Sequence, residues 1–192
     1  MLNVYEKLLE LNKRYFTGRE IGRILDVGAG SRRVVLTRLV KKGTLRRIWR
    51  NLYELKLRPA DIREAANIIY RPSYLSFTYC LGELGILNQI AYAIEFATPR
   101  KTKTIVIRDR DVVFRKIKRE LFFGYALKDN IFIAEPEKAL LDTLYLKSKG
   151  LAGLSEEELN LGGLSRKRFL EMSGKFPARV RKEARRLAKN MR

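Results

Sequence analysis

The stretch Ser31-Arg32-Arg33-Val34-Val35-Leu36-Thr37-Arg38-Leu39-Val40-Lys41-Lys42 carries the clearest structural signal in the chain. Ser31 can cap a first helical turn, and Gly43 can adopt the left-handed conformation that ends a helix. At 100° per residue, one side of this helix is apolar and is predicted to face a core; it carries Val35, Leu36, Leu39 and Val40. The other side is mostly polar and basic; it carries Val34, Thr37, Arg38 and Lys41, with Arg33 and Lys42 at its rim. The stretch therefore predicts an amphipathic helix, Ser31–Lys42, with one face suited to a polyanion.

The residues around this helix place it in a larger motif. Thr17 and Glu20 have the spacing of a capping box and predict a short helix, Gly18–Asp26, which a glycine-rich turn at 27–30 joins to the basic helix. The arginine-rich segment 45–55 predicts a two-stranded hairpin with its tip near 49–51. A first helix at Leu2–Arg14 and a short strand at Tyr15-Phe16 precede these elements. This order of elements is typical of a winged helix-turn-helix.

The predicted DNA interface lies on the basic helix and the hairpin. Helix side chains would reach base edges in a major groove, where Val34 could touch a thymine methyl group. Hairpin arginines would contact phosphates or enter a minor groove. Trp49 either covers the domain core, which is the favoured interpretation, or wedges against sugar. The candidate DNA-binding residues are Arg32, Arg33, Val34, Thr37, Arg38, Lys41, Lys42, Arg46, Arg47 and Arg50.

The chain has 192 residues and a formal net charge of +20, which is concentrated at its two ends. Residues 1–58 carry a net charge of +10, residues 59–164 of +1, and residues 165–192 of +9. This distribution favours a phosphate backbone as the partner over a general effect on solubility.

Some classes of function are excluded by composition. The sequence has no histidine, so Ser-His-Asp and Cys-His nucleophilic sites and His-based metal sites are impossible. The single cysteine, Cys80, lies among apolar residues and is predicted to be a buried structural thiol. No cofactor and no metal are expected. Neither a membrane-spanning stretch nor a signal peptide is predicted, so the expected location is the cytoplasm.

The predicted fold class is α+β, in three parts. Residues 1–58 form the winged helix-turn-helix domain, and residues 151–192 form a basic helical extension. In residues 59–150, a helix at Ser73–Leu84 and a helix that begins at Pro136 flank short alternating segments. These segments predict an antiparallel sheet, and they span residues 90–98, 104–108, 112–118, 121–127 and 131–133.

The extension is predicted to contain helices at Ser155–Leu161, Ser165–Met172 and Pro177–Met191. The last of these carries a narrow apolar stripe that we expect to dock on the folded body, with a basic ridge left exposed. Two placements are possible: beside the hairpin, which would extend the DNA footprint, or on the second domain. The first is favoured, because the middle of the chain is nearly neutral.

Several strings in the second part resemble a known family. They include Arg71-Pro72-Ser73-Tyr74-Leu75-Ser76-Phe77, Leu121-Phe122-Phe123-Gly124-Tyr125 and Ile133-Ala134-Glu135-Pro136-Glu137-Lys138-Ala139-Leu140-Leu141-Asp142. Together they resemble the AbiE antitoxin family, the AbiEi-type transcriptional regulators of type IV toxin–antitoxin systems. The resemblance covers about residues 1–148, and the chain departs from the family's usual Ala-Leu at Tyr79-Cys80.

The resemblance implies a repressor in abortive infection, which is a form of phage defence. Such a repressor binds operator repeats in double-stranded DNA and represses its own operon. It also antagonises a nucleotidyltransferase-like toxin, usually without a stable complex. The sequence does not define an oligomeric state.

Two other functions remain open. One is a metal-dependent nuclease that would use Glu135, Glu137 and Asp142, with Asp109 and Asp111 as further carboxylates. Helix-terminal, hairpin-turn and ion-pair roles explain these residues more simply, and the chain is not expected to be an enzyme. The other is a stand-alone nucleic-acid-binding protein that would bind RNA or DNA through its basic tail.

Overall fold

The computed structural model describes residues 3–88 and 91–191, which form a mixed α+β structure. The chain divides into two compact units, Met1–Ala65 and Ala66–Arg192. The first unit thus extends past the predicted boundary at residue 58, and the second unit includes the predicted extension 151–192. Within the described ranges, no helix is long and apolar enough to cross a membrane.

The first unit combines helices with one small sheet. Its helices are α1 (Val4–Glu10), α2 (Gly18–Ile24) and α3 (Ala29–Lys41), and its strands are β1 (Phe16–Thr17), β2 (Leu45–Trp49) and β3 (Leu52–Leu55). The sheet is antiparallel with the order β1-β3-β2, so β1 extends the β2–β3 hairpin. The helices and the sheet share one apolar core; it contains Leu8, Phe16, Ile21, Leu36, Leu39, Leu45, Tyr53 and Leu55.

Local signals place most of these elements correctly. The capping box of Thr17 and Glu20 is present, and Gly43 follows α3 with a φ of 74°. However, α3 begins at Ala29 with Gly28 at the N-cap, so the prediction that Ser31 caps it is wrong. The first turn of α3 contains Gly30. Because glycine has a low helix propensity, the sequence pattern does not indicate that the helix begins there. The predicted helix Leu2–Arg14 is observed only as α1, and Leu2 lies outside the described residues.

A close approach between α2 and the hairpin tip requires glycine at position 18. A Cβ atom at Gly18 would lie 2.6 Å from Oδ1 of Asn51 and 2.9 Å from Cδ1 of Leu36. The Gly18 N–H donates to the same Asn51 oxygen at 3.1 Å. Asn51 has a φ of 56°, a left-handed conformation that asparagine tolerates at hairpin tips. This contact fixes the tip of the hairpin to the start of α2.

We expect Gly18→Ala to destabilise the first unit by about 1–3 kcal/mol, because the added methyl group would overpack this contact. Gly30→Ala is the matched control: nothing lies within 4 Å of a Cβ atom there, and Gly30 lies inside a helix. The control should leave stability unchanged or raise it by about 0.5–1 kcal/mol. Urea unfolding measures both variants, and equal stabilities would contradict the close approach.

Glu20 closes the capping box and also holds a lysine. Its carboxylate accepts from the Thr17 N–H at 2.7 Å, from the Thr17 hydroxyl at 2.9 Å and from Lys13 Nζ at 2.5 Å. Partial burial alone would raise the pKa of Glu20, but the hydrogen bonds from Lys13 and Thr17 outweigh it and lower the pKa to about 2. The folded state therefore binds a proton at Glu20 more weakly than the unfolded chain does.

This lowered pKa predicts an acid dependence of stability. The contribution of Glu20 is present above the unfolded pKa, near 4.5, and is lost as the pH falls toward 2. Glu20→Gln should remove that part of the loss, so the stability gap between this variant and the parent narrows between pH 5 and pH 2. Thr17→Ser keeps the hydroxyl and should keep the parent's profile. Unfolding at several pH values is the measurement, and a constant gap would contradict the role of Glu20.

The second unit is built around a six-stranded sheet. Its helices are α4 (Ile62–Ile69), which begins in the first unit, α5 (Phe77–Glu83), α6 (Pro136–Lys147), α7 (Arg166–Ser173) and α8 (Ala178–Leu187). Its strands are β4 (Tyr74–Leu75), β5 (Ile94–Thr98), β6 (Lys103–Ile107), β7 (Arg110–Lys116), β8 (Tyr125–Lys128) and β9 (Ile131–Ala134). The strand order is β6-β7-β5-β4-β9-β8.

This sheet is mixed, so the prediction of an antiparallel sheet is wrong. β5 pairs with β7 in parallel, and β4 pairs with β9 in parallel. Sequential strands would place β6 beside β5, but β7 takes that inner position. Both strands bury alternate residues, Val112 and Phe114 on β7 and Ile105 and Ile107 on β6, while Val106 of the edge strand β6 is 57% exposed. Alternation predicts that a segment is a strand, and it does not identify the neighbour of that strand.

Four further predictions in this unit need correction. Ser73 does not cap a helix; Tyr74–Leu75 form β4, and α5 begins after Ser76. The predicted strand at 121–127 begins only at Tyr125, after a 3-10 turn at Arg119–Leu121. Residues 155–161 form turns and no helix. The predicted strand at 90–98 is observed over Ile94–Thr98, and Ile90 lies outside the described residues.

The C-terminal helices pack on α6, in which every residue from Glu137 to Leu146 is buried. Ser165 caps α7, and Pro177 precedes α8, as the sequence predicts. The apolar stripe of α8 is buried, and Lys147 of α6 pairs with Glu183 of α8 at 2.8 Å. Docking of the tail is thus confirmed, and it occurs on the second unit, which is the placement that the sequence did not favour. The apolar residues of α6 supply the matching surface.

Candidate nucleic-acid interface

An open groove runs between α3 and the β2–β3 hairpin. One wall is formed by α3, with Ala29, Arg32, Arg33, Leu36, Thr37, Val40 and Lys41, and the other by the hairpin, with Arg47, Asn51 and Tyr53. The helix and the hairpin therefore present arginine and lysine side chains to the same space. Asn51 at the hairpin tip and Tyr53 of β3 carry no charge, so the sequence did not identify them as groove residues.

The side of α3 that faces the groove carries one row of polar residues. Arg33, Thr37 and Lys41 are four residues apart, so they lie above one another on the helix, and all three are exposed. The Thr37 hydroxyl donates to the Arg33 carbonyl at 2.9 Å. Its proton is therefore used within the helix, and toward a ligand Thr37 offers an acceptor oxygen and a methyl group. Val40 also lines this groove and is 36% exposed, which corrects the prediction that it faces the core.

The outer side of α3 is presented to solvent. Val34 is 50% exposed, and Arg38, one turn further along, is exposed beside it. Lys42 lies exposed at the C-terminal end. An arginine next to an exposed apolar side chain suits a base edge with a methyl group, since such edges combine acceptors with apolar surface.

Arg32 differs from the other candidates because it packs inside the unit. It is half-buried, and its Nε atom is buried without a hydrogen-bond partner. A Cβ atom at Gly22 of α2 would lie 2.7 Å from that nitrogen. The Arg32 side chain thus crosses α2 where a glycine leaves room, and it contributes to the packing of α2 on α3 as well as to the groove wall.

The hairpin arginines are also unequal. Arg46 lies 3.6 Å from Oε1 of Glu54, which is fully buried, so part of its charge is compensated inside the unit. Arg47 is exposed, and its Nε donates to the Trp49 carbonyl at 3.3 Å. Arg50 is exposed at the tip. Trp49 is half-buried, which fits neither full coverage of the core nor a freely projecting wedge. Arg47 and Arg50 are therefore the hairpin cations most available to a phosphate.

The carboxylates considered for catalysis lie in separate contacts. Oε2 of Glu135 pairs with Arg168 at 2.5 Å, and Glu137 accepts from the Ser165 N–H at 2.8 Å. Asp142 pairs with Lys138 inside the core. Asp109 has a φ of 64° in the β6–β7 turn, as its predicted turn role requires. Within the described residues, no group of three or more His, Cys, Asp or Glu residues could hold a metal ion.

Asp142 belongs to a polar network that is sealed from solvent. Its carboxylate accepts from the Tyr74 hydroxyl at 2.8 Å and from the Ser76 hydroxyl at 2.9 Å, and Lys138 Nζ donates to Tyr74 at 2.7 Å. Burial raises the pKa of Asp142 and lowers the pKa of Lys138, and the opposite charge of each partner opposes the shift. Cys80 is buried nearby, and burial raises the pKa of its thiol to about 12, which fits the predicted structural role.

Comparison with known proteins supports the fold at low sequence identity. No protein-family model matches the sequence, and no curated protein is significantly similar to it. The chain is similar in structure to the RV2827C protein from Mycobacterium tuberculosis, with a TM-score of 0.69 and 13% identity. The match covers 97% of this chain and 75% of that one. The similarity therefore extends over both units, and it concerns the fold alone.

Proposed function

We propose that the first unit is a winged helix-turn-helix domain that binds double-stranded DNA with sequence specificity. Helices α2 and α3 would be the helix-turn-helix, α3 the recognition helix, and the β2–β3 hairpin the wing. The observation that carries this proposal is the groove in which the cations of α3 and of the hairpin face the same space. Cations on a solvated surface do not need to face the same space. Cations that bind the phosphate backbone beside a major groove do.

The two sides of α3 would contact different parts of a DNA duplex. Val34 and Arg38 project outward and would read base edges, as bidentate arginine contacts to guanine do. Arg33 and Lys41, on the groove side, and Arg47 of the hairpin would contact the phosphates next to that groove. Arg32 would hold α2 and α3 together and act on DNA through their geometry.

We further propose that the chain is an AbiEi-type antitoxin that represses its own operon and antagonises a nucleotidyltransferase-like toxin. Support comes from the strings that carry the family resemblance. Tyr74 and Ser76 of one string and Lys138 and Asp142 of the other meet in the sealed network of the second unit. Residues far apart in sequence thus serve one structural role, which explains why they would occur together in a family.

The DNA-binding proposal is tested with single variants and the duplex upstream of the gene. Arg38→Ala should weaken binding to the operator by about 1–3 kcal/mol and reduce discrimination against random duplex. Arg47→Ala should weaken binding to both duplexes equally and flatten the slope of log K against log salt by about one unit. Lys128→Ala removes an exposed cation of the second unit and is the control. Operator binding by Arg38→Ala equal to that of the parent would show that α3 is not the recognition helix.

Arg46→Ala would be a poor probe of phosphate contact. It would leave the Glu54 carboxylate in the core with less compensation, so lost binding and lost stability would be confounded.

The antitoxin proposal is tested by growth. The full chain should restore the growth of cells that express a nucleotidyltransferase-like toxin from the neighbouring gene. The variant Arg33→Gln/Arg38→Gln/Lys41→Gln should fail to repress a reporter fused to the operon but should still protect, because protection would depend on the second unit. Loss of protection in step with loss of repression would contradict this separation of roles. A toxin that stays active beside the parent chain would overturn the antitoxin proposal itself.

A further inference from the structure

Helix α8 carries a row of cations on the side that faces away from α6. We name this row the basic ridge: Arg181, Lys182 and Arg185 of α8, with Lys189 of the 3-10 turn Ala188–Asn190 that follows it. At 100° per residue the three α8 side chains fall within about 100° of the helix circumference, and the four residues span about 12 Å along the chain axis. Val180, Ala184 and Leu187, on the opposite side, are buried. A shallow groove on this face is lined only by residues of the same helix segment.

Other cations of this segment are used within the protein. Arg186 pairs with Glu156 and lies 3.9 Å from Glu183. The Arg179 guanidinium donates to the Ser148 carbonyl at 3.2 Å. Together with the Lys147–Glu183 pair, these contacts fix α8 on the unit.

The ridge cations are exposed, and among the described residues their side chains form no ion pair. They repel one another, and the contacts that hold α8 in place do not use them. The ridge is thus a rigid cationic surface without an internal partner.

The chemistry of the ridge indicates the class of its partner. Within the described residues, α8 exposes no aromatic or large apolar side chain. A single-stranded nucleic acid would need aromatic platforms for base stacking. The residues that dominate a protein interface, Trp, Tyr and Arg, lie in well-packed and desolvated pockets, whereas the ridge cations are exposed on the surface of one helical segment. A duplex backbone needs only a row of positive charges, because its phosphates repeat along a groove edge.

We propose that the basic ridge binds the phosphate backbone of duplex DNA without sequence preference. This inference rests on the proposed function, because the DNA would be the duplex that the first unit binds. Since both surfaces belong to one chain, binding of one raises the effective concentration of the duplex at the other. The ridge would then add affinity and salt dependence, and it would not add discrimination between sequences.

The test compares four full-length proteins on operator and random duplexes of equal length. They are the parent, a ridge variant, an α3 variant and a charge-matched control. The ridge variant is Arg181→Gln/Lys182→Gln/Arg185→Gln/Lys189→Gln, and the α3 variant is Arg33→Gln/Arg38→Gln/Lys41→Gln. The control is Lys101→Gln/Arg110→Gln/Arg119→Gln/Lys128→Gln, which removes four exposed cations elsewhere in the second unit. Glutamine supports helices well, and melting curves show whether each variant is folded.

The ridge variant should bind both duplexes at least about tenfold more weakly than the control at 100 mM salt. Its slope of log K against log salt should be shallower by about two units or more, with the ratio of operator to random affinity unchanged. A ridge variant that matches the control in affinity and slope overturns the ridge proposal. A change in the ratio of affinities overturns the non-specific role.

The α3 variant separates this inference from the proposed function. If it loses operator discrimination while the ridge variant equals the control, the proposed function stands and the ridge proposal fails. If it binds like the parent while the ridge variant loses binding, the ridge proposal stands and the recognition helix is wrong. A duplex RNA of the same length is measured in parallel. Ridge-dependent binding to RNA alone overturns the assignment of the ridge to DNA.

Discussion

The ion pair between Lys138 and Asp142 is the contact on which the second unit depends. Both side chains are fully buried, and charges this deep are tolerated only when they are paired and hydrogen-bonded. The Asp142 carboxylate accepts hydrogen bonds from the hydroxyl groups of Tyr74 and Ser76, so β4 and the start of α5 are fixed against α6. Removal of either charge would leave the other uncompensated, at a cost of about 3–5 kcal/mol.

Lys138 also organises what lies beyond its ion pair. Its ammonium group lies 5.1 Å from the ring centroid of Phe123 and 5.2 Å from that of Phe176. Gly124 has a φ of 69°, and a Cβ atom there would lie 3.1 Å from Cγ of Lys138. Phe176 belongs to the segment between α7 and α8. The same lysine therefore connects the loop before β8 with the C-terminal helices, and this explains why residues after 150 fold with the second unit.

Sequence predicted the elements whose causes are local. The capping box at Thr17, the left-handed Gly43 and the proline that opens α6 depend on residues within one helical turn of each other, so their patterns can be read directly. Which strands pair with each other, and which charged residues form ion pairs, could not be predicted from such local patterns. The insertion of β7 beside β5 and the pairing of Arg46 with Glu54 depend on burial, which the folded unit alone defines. The start of α3 was missed because a glycine occupies its first turn.

Whether a cation forms an ion pair or stays exposed depends on the acidic residues near it. Near the tail, Glu183 forms an ion pair with Lys147, and Glu156 forms one with Arg186. These two carboxylates are therefore already paired. Among the described residues, no ion pair joins a ridge cation to a carboxylate. The helix nevertheless stays docked, because Val180, Ala184 and Leu187 bury apolar surface on the other side, and a Debye length of about 8 Å weakens the repulsion between exposed charges. The first unit follows the same rule: Glu54 takes Arg46, while Arg47 and Arg50 remain exposed. In both units, then, a carboxylate holds one cation in an ion pair, and among the described residues neighbouring cations without such a pair stay exposed: Arg47 and Arg50 on the hairpin, and the ridge cations at the C-terminal end.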